Sequence, residues 1–201
     1  MPYLGPPPAS KLASAADIAS GAVDSDEIAA GAVDIAHLSA SGTAGAGNYL
    51  RGDNSWTAVG GGPVFSVYGT AAQSNATGDG TVFTVVFGTE VTNVGSDFDG
   101  TSTFTADEAG SFILNAGVSA YGGTTSHTNA QLTIVTSNRS YEVSRDNPKD
   151  AIGTSYTTRG SVIADMDEGD TATVTFTVSG STITVDIDND PRTGFTGFFL
   201  G

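Results

Sequence analysis

The run Thr171-Ala-Thr-Val-Thr-Phe-Thr-Val178 alternates strictly between threonine and an apolar residue. On an extended chain successive side chains point to opposite faces, so such a run makes a strand with one apolar and one polar face and no helical stripe. Ser181-Thr-Ile-Thr-Val-Asp-Ile187 repeats the pattern, and Gly180 lies between the two runs, which predicts a hairpin. Phe112, Leu114, Ala116, Val118 and Ala120 mark another alternating face. Thr81-Val-Phe-Thr-Val-Val-Phe87 reads as a strand buried on both sides. Residues 131–135, 141–143 and 161–164 add shorter strands, and 195–200 closes the chain. Eight to ten short strands split by Gly, Asn and Asp turns predict an all-β sandwich over residues 63–201.

The composition changes at Gly60-Gly61-Gly62, which reads as a linker or hinge. Before it the chain is rich in Ala, Gly, Ser and Asp. Ile18-Ala-Ser-Gly-Ala-Val-Asp24 returns ten residues later as Ile28-Ala-Ala-Gly-Ala-Val-Asp34, and a half-copy follows at Ile35-Ala-His-Leu38. One chain has too few branched residues here to bury them alone. Identical chains around a shared axis could bury them; an unordered linker is the other reading. Gly21 and Gly31 argue against a continuous helix.

The chain carries 22 Asp plus Glu against 7 Lys plus Arg, a net charge of -15. Such a surface repels nucleic acid and anionic membranes. Cysteine is absent, which removes disulfides, thiolate catalysis and thiolate zinc sites. No apolar run approaches the ~20 residues needed to cross a bilayer. The opening, Met1-Pro-Tyr-Leu-Gly-Pro-Pro-Pro8, lacks the basic flank and apolar core of a secretory signal.

The motif order after residue 63 resembles the globular head of the complement first component's q subunit, whose jelly roll is shared with tumour necrosis factor. Val86-Phe-Gly-Thr-Glu-Val-Thr-Asn-Val-Gly-Ser-Asp-Phe98 is similar to that family's apolar strand, Asn-x-Gly turn and aromatic. Ser102-Thr-Phe-Thr-Ala106, Ala109-Gly-Ser-Phe112, Glu168-Gly-Asp170 and Thr193-Gly-Phe-Thr-Gly-Phe-Phe-Leu200 follow in the family's order. Asp107 stands where the family has a proline, and Phe112 displaces its tyrosine. The resemblance implies a homotrimer around a three-fold axis, binding through exposed loops, and no catalysis. Upstream, Asn48-Tyr-Leu-Arg-Gly-Asp-Asn-Ser-Trp56 resembles a box recurrent in phage tail fibres, the ten-residue repeats resemble shaft repeats of such fibres, and Met1-Pro-Tyr-Leu-Gly5 resembles the opening of marine phage appendage proteins.

These resemblances imply a phage structural protein, not an enzyme, made in bacterial cytoplasm and placed on the tail or capsid surface of the virion. Residues 1–16 would anchor it to other virion proteins, 17–62 would form a shaft, and 63–201 a jelly-roll head that adheres to a host surface glycan or protein. The alternative is a capsid- or neck-decorating trimer with a purely architectural role. Loops 122–129, 145–156 and 188–192 are the expected contact loops, with Tyr121, Arg145, Tyr156 and Arg192 as receptor-contact candidates. Trp56, Phe65, Phe195 and Phe198 are the trimer-interface candidates. Asp186, Asp188 and Asp190 begin like an EF-hand loop, but Pro191 stands in place of the required glycine. That rejects the EF-hand and leaves only a looser calcium site of the kind some family members hold. Asp165, Asp167, Glu168 and Asp170 fall in an expected turn, a poor setting for paired catalytic carboxylates. A metal or catalytic role for His37 or His127 would need partners that the sequence does not show.

Overall fold

The computed structural model describes residues 40–45, 48–52, 54–58, 64–148 and 155–200. The expected anchor 1–16, most of the expected shaft and the Gly60–62 linker lie outside the described residues. The chain divides into two units, Met1–Val59 and Gly60–Gly201.

In the first unit, β1 (Asn48–Leu50) and β2 (Trp56–Ala58) form an antiparallel hairpin with Leu50 opposite Trp56. Asn54 takes the left-handed conformation in its turn, at φ 64°. Asparagine tolerates that region because its short amide can bond locally. The Ser41 amide donates to the Asn54 carbonyl at 3.0 Å, and the Trp56 amide donates to the Ser41 carbonyl at 2.9 Å.

The second unit is a two-sheet sandwich. Its strands are β3 (Val64–Tyr68), β4 (Gln73–Thr77), β5 (Phe83–Thr84), β6 (Thr89–Val94), β7 (Phe104–Thr105) and β8 (Gly110–Tyr121). They continue with β9 (Asn129–Thr136), β10 (Ser140–Asp146), β11 (Ser155–Met166), β12 (Thr171–Ser179), β13 (Val185–Ile187) and β14 (Gly194–Phe199). One sheet runs β6-β3-β14-β8-β11, with β13 and β4 extending it beside the far end of β8. The other runs β10-β9-β12, with β5 and β7 both on the free side of β12. Counting β3 as the first main strand, the β5/β7 pair as the second and β14 as the eighth, the sheets read 1-8-3-6 and 2-7-4-5. That order is a jelly roll.

The alternating apolar positions of β8, β9 and β12 meet between the sheets. Phenylalanines dominate one end of this core. Phe65 stacks on Phe104 with centroids 4.5 Å apart and meets Phe195 edge-on at 4.8 Å, while Phe104 meets Phe112 at 5.5 Å. Such pairs add roughly 0.5–1.5 kcal/mol each beyond their area burial. This corrects two of the interface candidates: Phe65 is 1% exposed and Phe195 0%. Both lie inside the protomer, because β3 and β14 turn these residues to the core face of their sheet, and neither can touch a partner.

Two strand expectations also fail. Residues 81–87 form a strand only at Phe83–Thr84, and the segment alternates: Val85 and Phe87 are buried while Val82 is 65% exposed. The expected 171–187 hairpin does not form. β12 belongs to one sheet and β13 to the other. The chain turns away at Gly180, at φ +101°. A Cβ there would stand 2.8 Å from the Ser126 carbonyl oxygen, so the 122–128 loop packs directly against the crossover.

His127 holds that crossover and is fully buried. Its Nδ1 accepts the Thr124 amide at 2.9 Å, which leaves Nε2 as the donor to the Ile183 carbonyl at 2.8 Å. Both nitrogens are therefore committed to backbone. His127→Ala would leave both backbone groups unpaired around a cavity. We expect a loss of about 3 kcal/mol in chemical denaturation. A loss within about 0.5 kcal/mol, typical of a surface site, would contradict this role.

The 165–170 acidic stretch ends β11 and turns into β12, as expected. Asp170 works there as a clasp. Its carboxylate accepts the Asp167 amide at 2.8 Å, the Ser137 hydroxyl at 2.7 Å and the Asn138 side-chain amide. These bonds, the Asp167 amide foremost, hold its pKa below the usual 3.8. A depressed carboxylate stabilises the fold above its unfolded pKa and loses that contribution as pH falls through the folded value. Asp170→Asn should therefore lower the Tm at pH 7, and the gap to the parent should close below about pH 3.8. A gap that does not narrow between pH 7 and pH 2 would show that the charge is not its source.

Candidate functional site

The solvent-facing side of the β6-β3-β14-β8-β11 sheet carries the most organised exposed surface among the described residues. Residues directly opposite each other across antiparallel strands share a face. Ile163 stands opposite Ile113, Ile113 opposite Phe198, Phe198 opposite Val64, and Val64 opposite Val94. This is one row of five apolar side chains, one from each strand. Ile163 is 62% exposed, Val94 50% and Phe198 48%. Leu200, just past β14, lies beside this row and is 52% exposed. Isolated exposed apolar residues are ordinary, but an aligned row across five strands is a contiguous patch. Of the trimer-interface candidates in the head, Phe198 alone lies on it.

The next row along the strands is small and polar: Ser161, Asn115, Thr196, Ser66 and Thr92. The Asn115 side-chain amide donates to Thr196 Oγ1 at 3.3 Å. One row further stand Arg159, Gly117, Gly194 and Tyr68. There a cleft of about 400 Å³ opens between β11 and the turn before β14.

The receptor-contact candidates do not converge. Arg192 sits on the wall of this cleft and is clasped by Asp190, with Nε donating at 2.9 Å to Oδ1 and the terminal nitrogen at 2.9 Å to Oδ2. That pair holds the Asp190 carboxyl below its ordinary range. Arg145 lies on the other sheet, where it forks onto Glu142 at 2.7 and 2.6 Å and reaches Asn129 and Gln131. Tyr121 ends β8 opposite Asp186; burial pushes its phenol up, and the Asp186 and Asp188 charges add to this. Tyr156 is a correction. It faces inward opposite Ala120, its ring is 6.2 Å from Phe176, and its hydroxyl is buried with no hydrogen-bond partner among the described residues. Burial pushes that phenol well up, with Asp146 adding to the shift. The ring is only partly exposed and its hydroxyl, the group a receptor would bond, is turned inward.

Asp186, Asp188 and Asp190, the residues a looser calcium site would have used, are not gathered either. Asp186 Oδ1 accepts the Asn75 amide at 2.6 Å, and Asp190 is engaged by Arg192. No three groups able to hold a metal ion converge among the described residues. In the first unit, Trp56 is half-buried on its hairpin.

The sequence reading missed the apolar row and Arg159. The row is composed of residues far apart in the chain, and only the strand register aligns them. A signal for Arg159 was present: it is one of only 7 cations in the chain and sits in an otherwise uncharged stretch.

No family model matches the chain, and no curated protein matches it. Similar solved structures include the globular domain of zebrafish complement 1qA protein, at 17% identity and a TM-score of 0.47 over 69% of this chain and 98% of that one. They also include murine APRIL at pH 8.5, at 15% identity and a TM-score of 0.47 over 70% of this chain and 100% of that one. Likeness at this level leaves the jelly-roll assignment resting on the strand order itself.

Proposed function

We propose that this chain is a homotrimeric structural protein of a phage virion, a fibre or short appendage whose jelly-roll head meets the host cell surface. The observation that carries the reading is the apolar row from Ile163 to Val94. A contiguous apolar face of this kind marks an interaction surface, and identical copies of the chain are always present to cover it. Burying the remaining exposed area of Ile163, Phe198, Val94 and Leu200 is worth roughly 1 kcal/mol each, about 4 kcal/mol per protomer before the costs of association. Three copies on one axis also suit the ten-residue repeats, whose apolar residues are too sparse for a single chain to bury. The resemblance of the head's motif order to a trimeric family supports the number three. The tail-fibre box at 48–56, folded as a hairpin around Leu50 and Trp56, supports the virion setting. Adhesion then works by avidity: three equal weak contacts on one axis multiply.

Antibody against the head tests this on particles whose genome encodes the chain. It should decorate the particles and slow their adsorption to cells. Decoration with unchanged adsorption would leave the assembly architectural. Absence of the chain from purified particles would overturn the virion reading.

A further inference from the structure

The cleft at the far end of the same face has no part in the apolar row. Four residues along β8 separate Ile113 from Gly117, about 14 Å at strand rise. Gly117, Gly194, Arg159, Arg192, Asn115 and Thr196 are among the residues that line it. A Cβ at Gly117 would stand 2.7 Å from the Arg192 carbonyl oxygen and 3.2 Å from Arg159 Cγ. The absence of a side chain there lets Arg159 lie across the sheet face rather than extend into water. The Arg159 guanidinium makes no hydrogen bond or ion pair among the described residues, and its charge reaches Asp190 only at longer range. Arg192 uses Nε and one terminal nitrogen on Asp190, so further guanidinium donors remain.

We infer that this cleft binds an acidic sugar, with its carboxylate held by Arg159 and Arg192. Guanidinium groups match a carboxylate with paired, charge-assisted hydrogen bonds. Asn115 and Thr196 both donate and accept, as sugar hydroxyls require. The volume of about 400 Å³ falls within the range of small-ligand sites and admits a sugar ring. The net charge of -15 repels anions at long range. Over a screening length of about 8 Å at physiological ionic strength that distant charge is damped; close by, Arg159 and Arg192 stand against Asp190 and Asp188, so the carboxylate depends on the guanidinium donors that Asp190 leaves free. The inference deepens the adhesion reading by naming a receptor class, and rests on it only for the ligand's origin on a cell surface.

Isothermal titration of the full chain with trisaccharides of galacturonate and of glucuronate tests it, with their methyl esters as uncharged controls. At least one acid should bind, with its ester weaker by about tenfold or more. Arg159→Gln should weaken the acid by a similar factor and leave the solution mass unchanged. Binding of neither acid, or equal binding of acid and ester, would overturn the inference. So would a change of mass in Arg159→Gln, since the arginine would then belong to contacts between copies. A monomeric parent that still binds the acid through Arg159 would uphold the cleft while removing the trimer.

Discussion

A chain carrying Ile163→Asp and Phe198→Asp should run as a folded monomer. Both side chains point to solvent from the sheet face, and Ile113 stands directly between them in the register. In the isolated protomer each aspartate is hydrated, so the Tm should hold to within a few degrees. In an assembly that covers the row, every copy would bring two carboxylates into an apolar contact. An unpaired buried charge costs several kcal/mol after relaxation. Two per protomer should weaken association by about a thousandfold or more. Sedimentation velocity reads the mass, and circular dichroism confirms the fold. A double variant that keeps the parent's mass would place the contact elsewhere on the head.

The largest effect on the fold itself is expected at Gly160. It faces the interior of β11, opposite Ala116. A Cβ there would lie 2.3 Å from the Val143 carbonyl oxygen and 2.6 Å from Val143 Cβ. Val143 is where the register of β10 with β9 slips, between Glu142 and Ser144. The bulge brings the backbone of β10 close to β11, and the two sheets meet along that edge. Backbone cannot rotate away as a side-chain tip can. Gly160→Ala must therefore part β10 from β11, at a cost of about 3 kcal/mol or more. For a domain of this size that is a Tm lower by roughly 10 °C. A Tm within about 2 °C of the parent would show that this edge is looser than the structure has it.

Alternation was the legible part of the fold. Threonine and apolar residues in strict turn identify β12, and the Phe112 to Ala120 face identifies β8, because a period of two has only one common structural meaning. Partner choice was not legible. Residues 181–187 look like the return strand of a hairpin, yet β13 joins the other sheet. What diverts it is His127, fifty-six residues upstream of Ile183, and nothing local marks that bond. Phe65, Phe195 and Phe198 look alike as letters. Position along the pleat separates them: Phe195 and Phe198 are three residues apart, an odd spacing, so they face opposite sides of β14. Tyr156 was misplaced for the same reason, since the start of β11 could not be fixed from its polar residues. Arg159 stands out in the sequence as a lone cation in an uncharged stretch, but only the glycine across the ladder shows what it lies against.

The most direct measurement is the solution mass of the full chain by light scattering. A mass of three times 20.2 kDa, independent of dilution through the micromolar range, is the predicted result. A stable 20.2 kDa monomer with the apolar row exposed to water would contradict it.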